Sequence, residues 1–292
     1  MFTLGVKLVM GIIKKIKREL IVLFSKICIK SARNDYLGLD LKYPIIYGMG
    51  RGYVIPKEIW MGECLKAFIH CKEGCVIDVG VNVGVYLVKL KVLTDKVEYF
   101  GFEPNAVCNY YTNELIRMND FKHARVLPLA LSDKMGVQVL YANKLGDKTA
   151  SLVYETKNSA DLEYSSDIVT VKGDDFIELL NIKQISVIKV DVEGAEFFVL
   201  NGLLDTIEKF RPFFYIEIWA SENDKSNGAT GRISDIYNLI TSKDYTILGA
   251  NSERVLEIMD APEDILGQCD PNYIFVPNEL LKDFKSAIKN SS

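Results

Sequence analysis

Hydrophobic and polar positions follow two rhythms along this chain: short apolar stretches that stop at an acid or a glycine, and longer stretches of helical period between them. In order, they predict a strand over residues 75–79, a helix over 85–92, a strand over 99–103, a helix over 105–118 begun near Pro104, and a third strand over 125–130. Alternating or β-branched runs at 137–142 and 167–171 flank a polar segment, 144–166, and predict a paired excursion over the mouth of whatever site the core carries. The pattern then predicts a helix over 174–180, a fourth core strand over 185–191, helices over 196–201 and 203–210 interrupted at Gly202, and a fifth strand over 213–219. A helix over 233–241, a strand pair at 245–249 and 273–276, and a helix over 279–288 close the chain. Strands alternating with helices predict an α/β fold on a mostly parallel sheet, with helices on both faces.

The stretch Cys75-Val76-Ile77-Asp78-Val79-Gly80-Val81-Asn82-Val83-Gly84-Val85-Tyr86 organises the rest. Its apolar run suits a central strand covered on both faces, and Gly80 and Gly84 mark a turn where a ligand can approach the backbone. A dinucleotide site would need G-x-G-x-x-G, so that a pyrophosphate could rest on the helix N-terminus. The spacing here is Asp78-x-Gly80-x-Asn82-x-Gly84, and that fingerprint fails. A carboxylate at the strand end opposes a phosphate and favours a cation; S-adenosylmethionine carries an ammonium and a sulfonium. The next strand ends at Glu103, a little beyond the offset of roughly 20 residues at which such folds place a ribose-binding acid. Asp78, Gly80, Asn82, Gly84 and Glu103 are therefore candidate cofactor-binding residues. A plain tight turn and a solvated acid at a helix start would explain each feature alone, but not their order.

These motifs resemble the FkbM-type methyltransferases, a branch of the class I S-adenosylmethionine-dependent enzymes. The resemblance covers residues 76–219: the loop just described, then Phe102-Glu103-Pro104, then Ala130-Leu131-Ser132-Asp133, and above all Ile188-Lys189-Val190-Asp191-Val192-Glu193-Gly194-Ala195-Glu196 with Val199-Leu200-Asn201-Gly202. Arg211-Pro212-Phe213 leading to Ile216-Glu217 is a last echo, and Lys172-Gly173 departs from the Thr-Leu that the family more often has before its acidic pair. The resemblance implies a Rossmann-like class I methyltransferase sheet with an antiparallel C-terminal strand. It also implies an adenine pocket near Ala130, Leu131 and Ser132, and Asp191 and Glu193 bordering the transferred methyl. The reaction it implies is O-methylation, commonly of a sugar hydroxyl in a glycan, glycolipid or natural product.

Alternation places Val187, Lys189 and Asp191 on one face of the fourth strand, and a lysine there needs a partner, for which Asp191 is the candidate. Phe213, Tyr215, Glu217 and Trp219 share a face of the fifth strand, so Glu217 projects near its end. A hydroxyl acceptor needs a base, and the chain has only two histidines, His70 and His123, neither in a site motif. Asp191, Glu193 and Glu217 are the candidate catalytic residues.

The 292 residues, 49% hydrophobic and 25% charged, provide ample core-forming material for one catalytic domain with additions. A net charge of -4 supplies no basic field for nucleic acid. Six cysteines without a C-x-x-C pair predict reduced thiols in a cytoplasmic protein and no metal site. Residues 1–35 form a separate segment, read as a basic amphipathic helix: Lys7, Lys14, Lys15, Lys17, Arg18, Lys26, Lys30 and Arg33 stand among Leu, Ile, Val and Phe. It is expected to lie on an anionic inner-membrane surface, on its own domain or on a dimer partner. Residues 36–74, with Gly48, Gly50, Gly52 and Pro56 before an apolar-periodic stretch, read as a substrate-side cap ahead of a catalytic domain over 75–292. Two other functions stay open at this point: a non-catalytic, membrane-associated nucleotide-binding protein, and a nicotinamide-dependent oxidoreductase, against which the missing glycine argues.

Overall fold

The computed structural model describes residues 31–46, 49–50, 59–142, 164–219, 231–250, 256–267 and 271–289. Residues 1–30 of the basic helix expected over 1–35, together with Gly48, Gly52, Pro56 and most of the polar segment at 144–166, lie outside the described residues. The chain divides into two compact units, residues 1–53 and 54–292.

In the first unit, β1 (Ser31–Tyr36) and β2 (Leu39–Pro44) form an antiparallel hairpin. Leu37 and Gly38 turn it with φ of 52° and 86°, the two positive values that a two-residue hairpin turn of the primed type requires. The Gly38 N–H donates to Asp35 Oδ1 at 3.2 Å. The expected N-terminal helix therefore cannot extend through residue 35, because Ser31–Tyr36 satisfies its backbone across the hairpin ladder.

The second unit begins with α1 (Ile59–Cys71) and is built on strands β3 (Cys75–Val79), β4 (Tyr99–Phe102), β5 (Ala124–Leu127), β9 (Ile185–Val190) and β10 (Phe213–Glu217). With β11 (Tyr245–Ala250), β12 (Leu256–Ile258) and β13 (Asn272–Pro277) they form one eight-stranded sheet in the order β12-β11-β13-β10-β9-β3-β4-β5. Neighbours from β10 to β5 pair in parallel, and β13 enters antiparallel between β10 and β11. This is the Rossmann-like, mostly parallel sheet with a reversed C-terminal strand that the resemblance implied. The chain leaves β3 towards β5 and returns on the other side of β3 through β9, so the crevice for a ligand opens at the carboxyl ends of β3 and β9.

Period-two alternation decides which side chains enter which layer. On one face Ile77, Val79, Ile188, Val190, Phe214 and Ile216 pack with Val199, Leu200, Leu203 and Ile207 of α5 (Glu196–Asn201) and α6 (Leu204–Phe210), and with Ile233 and Ile236 of α7 (Arg232–Thr241). On the other, Phe68 of α1 lies 5.0 Å from Phe213 and 5.3 Å from Phe284 of α9 (Leu281–Lys289), ring centre to ring centre. All three rings are fully buried, each worth roughly 1.5–3 kcal/mol. Residues 59–71 thus pack into the second unit, where Phe68 closes one face of its core.

The third core strand is shorter than its apolar run suggests. It ends at Leu127, where Pro128 cannot donate to the ladder and the Leu129 N–H turns back to the Leu127 carbonyl at 3.0 Å. Ala130–Ser132 is a separate strand, β6, in a small sheet with β7 (Gly136–Ala142) and β8 (Tyr164–Lys172), which pair antiparallel as expected for the excursion. Gly202, between α5 and α6, abuts this sheet: a Cβ there would stand 1.9 Å from the Ser132 carbonyl oxygen.

Candidate active site

A cleft lies at the carboxyl ends of β3, β4 and β9, lined among others by Gly80, Asn82, Glu103, Asp191 and Glu193. Gly80 turns the chain out of β3 with φ 84°, and its N–H donates to the Phe102 carbonyl at 2.9 Å. Asn82 follows at φ 54°, a left-handed value that asparagine tolerates better than most residues. Thr112 of α3 (Ala106–Asn119) donates to the Asn82 carbonyl at 2.8 Å. Gly84, φ 80°, caps α2 (Val85–Leu93), with Thr112 and Leu115 close to where its Cβ would be.

Glu103 forms the far wall. Its Oε2 accepts from Asn82 N–H at 2.7 Å and its Oε1 from Asn105 N–H at 2.8 Å. Each carboxylate oxygen keeps a further lone pair for a ligand hydroxyl. Burial pushes this carboxyl up to about 7, opposed by those two backbone donors. Asn105 also caps α3, accepting from the N–H groups of Val107 and Cys108, and lines the cleft with Cys108. The sequence reading had missed Asn105, although an asparagine just before a helical run signals an N-cap.

Ala130 and Leu131 line the cleft from β6, joined by Leu140 of β7. Ser132 does not: it is buried, and its hydroxyl donates to Asp133 Oδ1 at 3.2 Å. Ser132 is therefore not part of the adenine pocket: it is buried away from the cleft with its hydroxyl directed to Asp133.

Asp78 also needs correction. It is fully buried beneath the turn: Tyr99 donates to its Oδ2 at 2.5 Å, and Lys189 stands 3.2 Å from its Oδ1. The strand register puts Asp78 opposite Lys189, so the carboxylate meets a cation of the protein and not one in the cleft. Lys189 also lies 3.1 Å from Asp191 Oδ2, the expected partner, and donates to the Gly80 carbonyl at 2.7 Å. Burial alone would lower the Lys189 pKa, but Asp191 and Asp78 outweigh it and hold the ammonium above its ordinary value. Lys189 thereby ties β3, β9 and the Gly80 turn together.

Asp191 and Glu193 leave β9 into the cleft, with Glu193 held at φ 54°. Glu217 ends β10 beside them without lining the cleft. Burial and the neighbouring Asp191 push its carboxyl up to about 7, while the indole N–H of Trp219, 2.7 Å from Oε1, opposes the rise. The charged residues lining the cleft are all acidic, which suits a cationic ligand. Among the described residues no group of three or more His, Cys, Asp or Glu could hold a metal ion.

The methyltransferase FkbM domain model matches residues 78–247, more than half of the chain. This protein belongs to the FkbM methyltransferase family. S-adenosylmethionine, the cofactor expected from the loop after β3, is the methyl donor associated with it. The FkbM chain is 28% identical over 150 residues to a hexuronic acid methyltransferase of Haloferax volcanii, covering 51% of this chain and 57% of that protein. It is 26% identical to a methyltransferase of Sordaria araneosa, over 51% of this chain and 68% of that one. A solved FkbM methyltransferase from Methylobacillus flagellatus aligns at 18% identity and a TM-score of 0.44, covering 69% of this chain and 43% of the other. Among the described residues no helix is long and apolar enough to cross a membrane.

Proposed function

We propose that this FkbM chain is an S-adenosylmethionine-dependent O-methyltransferase acting on a hydroxyl of a sugar, glycan or glycolipid-type acceptor. The observation that carries the reading is the cleft itself: an acid-lined crevice beside a bare backbone turn, with Glu103 held open on two backbone donors. Glu103 would take ribose hydroxyls, Gly80 and Asn82 the amino-acid portion, and Ala130, Leu131 and Leu140 the adenine. When bound, the cofactor supplies a methyl group on a positively charged sulfur. Asp191 and Glu193 offer negative charge at the mouth, and Glu217 is the carboxylate best suited to accept the acceptor's proton, because its value near 7 lets it take and release one near neutral pH. The hexuronic acid methyltransferase of Haloferax volcanii supports a sugar-type acceptor, over the half of this chain that it matches.

Calorimetry with S-adenosylmethionine tests the first half of the proposal, and no binding by the wild type would end it. Labelled methyl transfer to a glycan panel tests the second. Binding without turnover would favour the non-catalytic reading.

Glu103 and Glu217 should separate in pH. A ligand hydroxyl bonds the ionised form of Glu103 best, so cofactor affinity should weaken as pH falls through about 7. Glu103→Gln should lose about 10- to 100-fold in affinity and flatten that dependence. At saturating cofactor, kcat should rise with pH through about 7, a limb that Glu217→Gln should remove. A Glu217→Gln enzyme that kept the limb would transfer the base role elsewhere.

A further inference from the structure

One run of hydrogen bonds links the two acid-bearing strand ends through Glu196, the last residue of the 188–196 motif, and through Arg232 and Trp219, which lie outside it; none of the three lines the cleft. The Gly194 N–H donates to Glu196 Oε1 at 2.8 Å, and Arg232 Nη1 pairs with Glu196 Oε2. Arg232 Nη2 donates to the Trp219 carbonyl at 2.6 Å, and the Trp219 indole N–H reaches Glu217 Oε1. One end of this strap fixes the turn that carries Glu193, and the other fixes Glu217.

Three features mark the strap as more than surface pairing. The Glu196 side chain is only 2% exposed, so its charge has to be matched by the guanidinium. Glu193 and Gly194 stand at φ 54° and 108°, and a glutamate held left-handed persists only where its surroundings over-determine it. Trp219 is 58% exposed, yet both its polar ends are tied, one through the side chain and one through the backbone. An exposed indole gains nothing for the core by being fixed, whereas a base beside it gains a set direction.

We propose that Arg232 and Glu196 are positioning residues that hold the Glu193 turn and the Trp219-bound Glu217 in one geometry, with Arg232 as the junction. The proposal rests on the reading of Glu217 as the proton acceptor, but its strap can be tested without cofactor or acceptor. The groups that act on Glu217 are Asp191 and Glu193, which oppose its ionisation, and Lys189 and the Trp219 N–H, which favour it; Asn272 stands across from it on β13.

The experiment is a carbon-13 NMR titration of the Glu217 carboxyl in the cofactor-free protein. Trp219→Phe removes a donor to the ionised form and should raise the midpoint by about 0.5 pH or more. The double variant Arg232→Gln/Glu196→Gln leaves neither charge unpaired, which protects folding, and should raise the midpoint in the same direction by releasing Trp219. Adding Trp219→Phe to that double variant should move it little further, because both act through one bond. Urea midpoints report that each variant is folded. A folded double variant with the wild-type midpoint would overturn the strap, as would full additivity with Trp219→Phe. Calorimetry with S-adenosylmethionine on the wild type reports separately on the proposed function, so failure of one is distinguishable from failure of the other.

Discussion

Gly80→Ala should destabilise the chain by more than about 3 kcal/mol and abolish binding of S-adenosylmethionine, as read by urea denaturation and calorimetry. Two independent costs meet at this position. With φ at 84°, any Cβ incurs the left-handed penalty of roughly 1–2 kcal/mol. That Cβ would also fall 1.8 Å from the Asp191 carbonyl oxygen, on backbone that cannot swing aside as a side-chain tip would. The turn after β3 and the turn after β9 must therefore separate, and both line the cleft. A Gly80→Ala protein with a wild-type urea midpoint would show that the two turns do not approach so closely.

Lys189→Met should cost about 3–5 kcal/mol near neutral pH, the usual result of removing one partner from a buried ion pair. Methionine fills the space but leaves Asp78 fully buried without its counter-charge and the Gly80 carbonyl without its donor. For Asp78, burial already pushes the carboxyl above its ordinary value, with Lys189 and Tyr99 pulling it back. Removing Lys189 raises it further, so the folded state then binds a proton more tightly than the unfolded chain. The cost should shrink as pH falls and the acid protonates, and urea midpoints at pH 5 and pH 8 would measure the difference. Asp78→Asn combined with Lys189→Met should recover part of the loss. Equal costs at both pH values would mean that Asp78 is not the group left exposed to the penalty.

Much of the fold could be read along the chain because its signals are local. The apolar run at 75–79 and the break at Gly202 depend on the residues themselves, and the structure places a strand and a helix junction there. Gly80, Asn82 and Glu103 follow from position in the strand–turn–helix order, Asp191 and Glu193 from the family resemblance, and all five line the cleft. Asp78 shows where that reasoning stops. Its place at a strand end says that it sits near the site, but not which way it points, and the register with Lys189 turns it inward. Ser132 is a second case: it shares its strand with Ala130 and Leu131, which do line the cleft, but it is buried away from the cleft and its hydroxyl is directed to Asp133.

The sequence by itself determined the order of strands and helices, the glycine turn and the set of acids at the strand ends, since periodicity and backbone freedom belong to short stretches. Tertiary structure alone decided that Lys189 serves Asp78, Asp191 and the Gly80 carbonyl together, and that Arg232 reaches both Glu196 and Trp219. These partners lie far apart in the chain. Only the packing of β3 against β9, and of α7 beside the end of β10, brings a buried charge to the one group that can neutralise it.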